Sequence, residues 1–407
     1  MRKFMRNNFS AFVLSFVLVM SFVSSSNAAD ITLSSAVVIN SSNKSQYEGK
    51  SVAGTIPSDS SAGAIDTFIS QGAIVVDGIE LNLTIDGLNA DYSEKYSMLS
   101  GISLVNGATL HLTVNGENTL TAGFGGAGIA VPDGCTLEIT SSSTGTLNAT
   151  GGKNYGGGAG IGSIGNRTNS NTQTNGMYPQ GLGTIIIKGG TINAQGGTYY
   201  YNTTPTGGAA GIGGGSNGTL KTISITGGTV TATTDMGTSL HNAAAIGLGF
   251  NKISLGSGTL TCPEIKISGG TVTANGNIGY GDARHADQNI GGSITIDGDL
   301  TVNNAELSAG TVNTDNWKHS VSFEANGGTG SMETQNVQHG ASYALPECTF
   351  TPPDGKYFVN WIIDGTSYNP GDSITVNSSI TVKAQWEDYA VITFDANGEA
   401  VKCSLYM

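Results

Sequence analysis

The sequence predicts an all-β protein whose body is a right-handed parallel β-helix. Three observations lead to this prediction: segments recur along the chain, apolar residues alternate with polar ones inside each copy, and charges are rare. Gly accounts for 61 of the 407 residues and charged residues for 12%, roughly double and half their usual shares. A stack of repeats buries a thin continuous core and needs few charges, so this architecture explains the composition.

Four segments are close copies of one another, and a second motif alternates with them. Each copy contains Gly-Gly beside an alternating apolar run: Gly145–Gly152, Ile185–Ala194, Ile223–Ala232 and Ile265–Ala274, with Ser293–Val302 as a degenerate fifth. The second motif is Ala-Gly-Ile-Gly or a variant of it, centred on Ile129, Ile161, Ile212 and Ile246. Intervals of 32, 51 and 34 residues separate these isoleucines. One such motif in each coil would place small residues at the same corner every time.

Apolar residues occupy every second position within each copy. Ile223 and Ile225 alternate before the Gly-Gly, and Val230 and Ala232 alternate after it. This period of two, with β-branched residues, is typical of strands. Gly-Gly is compatible with a two-residue hairpin turn between antiparallel strands, or with the corner of a coil that continues in one direction. The recurrence of the second motif favours the coil, and the hairpin arrangement is the alternative.

The first 29 residues have the three-part pattern of a secretory signal peptide. Three basic residues precede the apolar run Phe9–Val23, and small residues follow it, so cleavage is expected after Ala28 or Ala29. The apolar run is too short for a membrane span, and no span is expected after cleavage. Removal leaves fourteen basic residues against 30 acidic ones, a formal charge near −16. Such an acidic surface disfavours nucleic acid and anionic lipid as partners.

A different composition begins near Asn313, and all three tryptophans lie beyond it. From Val321 onward the residues resemble the Listeria–Bacteroides repeat, also called the internalin B-repeat family. The matching motifs are Phe323–Gly328, Leu345-Pro346, Pro370-Gly371 and Ala384–Trp386, whereas Asn360 replaces the family's Gly before Trp361. The body is similar to Gly-rich repeat regions of surface proteins from Gram-positive gut bacteria, some of which are labelled carbohydrate-binding.

The resemblance implies a small β-grasp-like module of the cell envelope, used as a spacer or adhesion unit. Trp361 and Trp386 are expected in its core rather than on its surface. A second copy begins at Val391 and stops, so Tyr389–Met407 is expected to be frayed unless the natural product is longer. The predicted organisation is a signal peptide (1–29), a β-solenoid with an N-terminal capping region (30–312), an internalin B-type repeat (313–388) and an incomplete second repeat (389–407).

Two polar segments are candidate sites. Tyr199, Tyr200 and Tyr201 lie in an insertion expected to be a surface loop, where contact with a glycan explains an aromatic triplet better than packing does. Surface decoration without a ligand is the alternative. Asp282 and Asp287 flank an Arg-His pair that could bind calcium or perform acid–base chemistry, although a solvated loop is the simpler interpretation. No other cofactor is expected.

These features predict a secreted protein of the cell envelope or cell surface, with a structural or adhesive role and no catalytic activity. The first alternative is a carbohydrate-binding β-helix protein that recognises glycans, mucin or cell-wall polysaccharide through Tyr199–Tyr201. The second alternative is a polysaccharide lyase or hydrolase, which needs clustered carboxylates or Arg on one face. For that activity the segment Asp282–Asp287 would be essential.

Overall fold

The computed structural model describes residues 29–62, 71–153, 156–165, 181–201, 204–215, 221–234, 243–249, 260–281, 290–298, 302–303, 307–389, 391–396 and 399–404. These residues are nearly all strands, turns and connecting segments, with one short helix, α1 (Lys44–Tyr47). None of their helices has the length and apolarity needed to cross a bilayer. The all-β prediction is confirmed for this part of the chain.

The body consists of short strands that follow one another around successive coils. In chain order they are β1 (Ile31–Thr32), β2 (Val37–Ile39), β3 (Lys50–Ile56), β4 (Gly72–Asp77), β5 (Glu80–Asp91), β6 (Ser100–Val105), β7 (Thr109–Asn115), β8 (Glu117–Thr121), β9 (Ile129–Ala130), β10 (Thr136–Ile139), β11 (Thr146–Thr150), β12 (Ile161–Gly162), β13 (Thr184–Ile187), β14 (Thr191–Gln195), β15 (Thr198–Tyr201), β16 (Thr204–Gly208), β17 (Ile212–Gly213), β18 (Thr222–Thr233), β19 (Ile246–Gly247), β20 (Leu260–Asn275), β21 (Ile278–Gly279), β22 (Ile290–Gly298), β23 (Val302–Asn303), β24 (Leu307–Ser308) and β25 (Thr311–Glu324). Helix α1 lies between β2 and β3, within the expected capping region.

Two parallel sheets run along the body. Among the described strands, nine form a narrow sheet in the order β2-β4-β6-β9-β12-β17-β19-β21-β24. The other body strands, apart from β15 and β16, form a broad sheet. All neighbours in the narrow sheet pair in parallel. The chain therefore returns to the same sheet, in the same direction, once in each coil.

One column of apolar side chains runs through the narrow sheet. Its members are register partners in successive coils: Val37, Ile74, Ile102, Ile129, Ile161, Ile212, Ile246, Ile278 and Leu307. From Ile74 to Ile278 every one of them is fully buried. The four isoleucines of the Ala-Gly-Ile motif therefore stack as predicted, and the parallel coil is confirmed.

The Gly-Gly pairs are corners of the coil. In β18, Ile223 before the pair and Val230 after it both pair in parallel with β20 of the next coil, at Ile265 and Val272. The hairpin alternative for this turn is therefore wrong. Gly228 has a φ of 84°, a left-handed conformation that residues with a Cβ rarely adopt. The second Gly of the pair therefore allows the tight corner.

Replacing Ile225 with Ala should lower the free energy of unfolding by about 2–5 kcal/mol, because it leaves a cavity in a fully buried column. Ser224 lies beside it on the half-exposed face of β18, and Ser224→Ala should change stability by no more than about 0.5 kcal/mol. Urea unfolding followed by circular dichroism measures both. Equal effects of the two substitutions would contradict the assigned faces of this strand.

The C-terminal unit adds strands of mixed direction. They are β26 (Gln335–Gln338), β27 (Ala341–Ala344), β28 (Lys356–Ile363), β29 (Thr366–Tyr368), β30 (Ser373–Val376) and β31 (Ile380–Asp388). The last strand, β31, pairs in parallel with β25 and antiparallel with β28. Trp361 is fully buried in a core of its own and donates a 2.9 Å hydrogen bond from Nε1 to the Pro346 carbonyl. Trp386 packs half-buried against that core, so both tryptophans contribute to packing as predicted.

Asn360, the departure from the family pattern, lies at an irregularity of β28. The register with β31 shifts between Phe358 and Asn360, so the chain carries an extra residue there. A bulge of this kind bends a strand without ending it. The strand continues through Trp361 to Ile363.

Strand β25 joins the body to the C-terminal unit without a break. Its first part pairs in parallel with β22 and its second part with β26 and β31, so the expected boundary at 312/313 falls inside one strand. Trp317 belongs to the core of the body, and its ring stacks on His339 with a centroid distance of 3.5 Å and an interplanar angle of 5°. His319 is fully buried, and its Nε2 lies 2.9 Å from Nδ1 of His339.

This histidine pair should make the junction sensitive to acid. Burial and the facing His319 lower the pKa of His339, against a hydrogen bond with the Asn377 backbone that raises it. Because the folded pKa lies below the unfolded value of 6.5, the unfolded chain takes up this proton first. The stabilisation that the neutral His339 provides is therefore complete above about pH 6.5, and it is lost as the pH falls below that value.

The test is urea unfolding between about pH 5 and pH 8, followed by Trp fluorescence. His339→Phe keeps a ring on Trp317 but removes the titration, so its stability should depend less on pH than that of the original chain. His241→Gln, which removes a His far from the junction in sequence, serves as the control. An unchanged pH dependence in His339→Phe would contradict this account of the junction.

The last described residues form a hairpin of β32 (Val391–Ala396) and β33 (Glu399–Ser404), paired antiparallel. The prediction that Tyr389–Met407 is frayed was therefore wrong for these residues. Apolar residues alternate in both strands, at Ile392 and Phe394 and again at Val401 and Cys403. Two such runs separated by two residues favour local antiparallel pairing even without the rest of a repeat unit.

Candidate ligand-binding edge

The tyrosine triplet lies in a strand. Tyr199, Tyr200 and Tyr201 belong to β15, which pairs antiparallel with β16, so the prediction of a surface loop was wrong. Aromatic residues and Thr favour extended structure, and this insertion contains both. The base of the hairpin is fixed to the body, because the Gly197 N–H donates a 2.8 Å hydrogen bond to the Gly158 carbonyl in the preceding coil. The side chain of Tyr200 is half-buried.

The hairpin rises from the corner where the broad sheet turns into the narrow sheet. The same corner in the three preceding coils is formed by residues 92–99, 122–126, and 151–153 with 156–158. Backbone N–H groups of Gly123, Gly152 and Gly197 donate hydrogen bonds of 2.8–2.9 Å to the corner of the coil before. The four corners therefore lie in a row, which we call the corner edge.

Glycine allows the coils to approach one another along the corner edge. A Cβ on Gly152 would collide with the carbonyl group of Gly123, and a Cβ on Gly197 would collide with that of Gly152. Both contacts involve backbone atoms, which cannot move aside as the end of a long side chain can. The high Gly content of this region is thus a condition for stacking, and the aromatic side chains on the edge stand on a closely packed backbone.

An aromatic pair of one exposed and one half-buried ring lies on the corner edge. The side chain of Tyr96 is 85% exposed, and its ring centroid lies 4.4 Å from that of Phe124 in the next coil, with the planes at 62°. The Phe124 N–H donates a 3.0 Å hydrogen bond to the Lys95 carbonyl. The two rings are therefore fixed to each other through both backbone and side chains.

A buried tyrosine anchors the segment that carries Tyr96. Tyr92 is fully buried, and its hydroxyl donates a 2.7 Å hydrogen bond to the Ser60 carbonyl. Burial raises the pKa of Tyr92 to about 12, so the hydroxyl keeps its proton at neutral pH. The Lys95 N–H in turn donates a 2.8 Å hydrogen bond to the Tyr92 carbonyl. Tyr96 is thus held one residue beyond a fixed turn.

The sequence contains a signal for this pair that the repeat analysis missed. Tyr96 lies six residues before Ile102, and Phe124 lies five residues before Ile129. Because both isoleucines belong to the stacked column of the narrow sheet, spacings that differ by only one residue place the two rings at nearly the same position in the coil. Alignment of coils on the isoleucines, rather than on Gly-Gly, would have found the pair.

A second cluster crosses four coils on the outer face of the broad sheet. His111 lies 3.1 Å from Glu80 through Nε2 and 3.6 Å from Glu138 through Nδ1, and Lys188 Nζ lies 2.8 Å from Glu138. His111 and Glu138 are register partners, whereas Glu80 and Lys188 reach them from offset positions of the neighbouring coils. Spacing along the chain therefore gives no sign of the cluster. Each carboxylate has a cationic or ionisable partner, and the cluster forms a ladder of ionisable side chains.

Asp282 and Asp287, the predicted metal or acid–base residues, lie outside the described residues. Within the described ranges, no three His, Cys, Asp or Glu side chains lie close enough together to hold a metal ion. Calcium binding by Asp282 and Asp287 therefore stays a prediction.

Two kinds of repeat are recognised in the chain. Residues 319–385 match the Listeria–Bacteroides repeat domain, and residues 223–250 and 265–286 match the beta helix repeat. No curated protein and no solved structure matches the chain. The suspected resemblance is thereby confirmed for both parts, and such repeats are typical of surface-associated or extracellular proteins.

Proposed function

We propose that this chain is a secreted structural or adhesive protein of the bacterial cell envelope, in which a rigid β-solenoid carries a Listeria–Bacteroides repeat. The observation that supports it most is β25, which belongs to the last coil and to the repeat at once. A shared strand and the Trp317–His339 stack join the two without a flexible linker. Such an assembly holds the repeat at a fixed distance from the far end of the body.

Two finer features of the fold belong to this proposal. Right-handed coiling is the expected hand, because crossovers between parallel strands are almost always right-handed. The parallel pairing of β25 with β31, the first and last strands of the repeat unit, supports a β-grasp-like arrangement.

The proposal includes the absence of catalysis. The ladder of Glu80, His111, Glu138 and Lys188 is the described cluster that most resembles acid–base machinery. Glu138 forms an ion pair with Lys188, and Glu80 contacts His111 in the neighbouring coil, which favours a role in covering the sheet. A lyase or hydrolase centred on Asp282 and Asp287 is the competing function.

Secretion is tested by producing the full chain in a Gram-positive host and fractionating the culture. We expect the protein in the medium or the cell envelope, with a new N-terminus at Ala29 or Asp30. A chain that lacks residues 1–29 should stay in the cytoplasm. Full-length chain that keeps Met1 and stays in the cytoplasm would contradict the proposal.

Catalysis is tested by incubating the purified chain with acidic and neutral polysaccharides. We expect neither new reducing ends nor unsaturated uronates. Cleavage of a polysaccharide by the original protein that is lost in Asp282→Ala, Asp287→Ala or His111→Ala would show that the protein is an enzyme. That result would overturn the non-catalytic role.

A further inference from the structure

Tyr96 is unusual on this surface. Only two large apolar side chains are exposed among the described residues, Tyr96 and, far along the body, Val312. Single exposed aromatic residues are common on protein surfaces and need no explanation by themselves. Here, however, the ring is held by a buried anchor at Tyr92 and by an edge-to-face contact with Phe124. A ring that is both exposed and fixed is already arranged for contact.

The surroundings of the ring indicate the chemistry of its ligand. The same corner carries exposed hydroxyl and carboxylate groups from Ser93, Ser97 and Glu94, and the exposed Lys153 lies two coils further along the edge. There is no wider apolar patch in the described surface, as a protein interface or a bilayer would require. One aromatic face beside many hydrogen-bonding groups suits a sugar, whose ring presents C–H groups on one face and hydroxyls at its rim.

The arrangement also repeats along the body. Corners of neighbouring coils follow at the spacing of adjacent strands, about 4.7–4.9 Å, a step comparable with one sugar unit of an extended chain. Phe124 lies one step from Tyr96, and the hairpin with Tyr200 lies two steps further along the same edge. A ligand that touches several of these positions must itself be a polymer.

We propose that the corner edge is a binding site for a polysaccharide chain that runs along the body, with Tyr96 as the ring on which a sugar stacks. Phe124 positions Tyr96, and the side chains of Ser93, Ser97 and Lys153 supply hydrogen bonds to the sugar hydroxyls. The inference rests on the proposed adhesive function and gives it a ligand class. It also moves the main contact from the tyrosine triplet to a residue three coils away.

The test uses the full chain with a fluorescent label on a glycan array that carries mucin glycans, cell-wall fragments and neutral and acidic polysaccharides. The affinity for the strongest ligand is then measured by titration calorimetry for the original chain and four variants. Tyr96→Phe keeps the ring, Tyr96→Leu keeps apolar bulk without a ring, and Tyr96→Ala removes both. Thr271→Ala, at an exposed position of the broad sheet, is the matched surface control.

We expect binding to at least one polysaccharide, a loss of about tenfold or more in Tyr96→Ala and Tyr96→Leu, and near-original affinity in Tyr96→Phe and Thr271→Ala. Longer oligosaccharides of the same sugar should bind more tightly than short ones, because more positions of the edge are engaged. Absence of glycan binding, or original affinity in Tyr96→Ala or Tyr96→Leu, would overturn the inference. Secretion and location in the envelope do not depend on this residue, so such a failure leaves the proposed function standing.

Discussion

The parallel register between successive coils is the constraint on which the rest of this structure depends. Ile161 pairs with Ile212, Ile212 with Ile246, and Ile246 with Ile278, so like side chains fill the same level of a narrow core. Burial of each such side chain contributes about 1.5–3 kcal/mol. A shift by one residue in any coil would turn its apolar side chains outward, and both neighbouring coils would lose their contacts.

The register also determines what the surface can present. Whatever residue occupies one outward position of a coil is brought next to its counterparts, about one strand spacing away. His111 and Glu138 are brought together in this way, and Glu80 and Lys188 extend the row from offset positions of the neighbouring coils. The corner edge is the aromatic equivalent, with Tyr96 against Phe124. A solenoid thus converts positions that are far apart in sequence into rows, and rows suit extended partners better than compact ones.

The junction shows how the rod ends. Stacked coils leave an open row of backbone groups at the last coil, and such edges must be covered. Here β25 pairs with β22 on one side and then supplies a strand to the repeat. Trp317 closes the core of the body and stacks on His339 of the repeat. The repeat unit therefore continues directly from the last coil, whereas most of residues 311–316 in the first part of β25 stay exposed.

The features of the fold that could be predicted from the sequence are those that depend on interactions between residues close together in the chain. The alternation around Ile223 and the recurring Ala-Gly-Ile motif are short patterns, and they predicted the strands, the parallel stack and its core. The Trp positions and the Asn-Gly-Gly opening predicted the repeat, which residues 319–385 match. The ladder and the Tyr96–Phe124 pair depend on the register between coils. Alternation alone does not say which residues of neighbouring coils lie side by side. The tyrosine hairpin and β32–β33 were missed because polar or terminal segments were expected to lack partners, although each strand pairs with the one next to it in sequence.

The most direct test of the parallel register is disulfide cross-linking of paired cysteine variants. Thr231 and Thr273 are register partners in neighbouring coils, within the Cα distance of about 4.4–6.8 Å that a disulfide needs. In a chain with Cys348→Ser and Cys403→Ser, mild oxidation should rapidly join Thr231→Cys to Thr273→Cys. Ser224→Cys with Thr231→Cys, which would face each other if Gly227-Gly228 were a hairpin turn, should stay reduced. Rapid cross-linking of the second pair, without the first, would contradict the account.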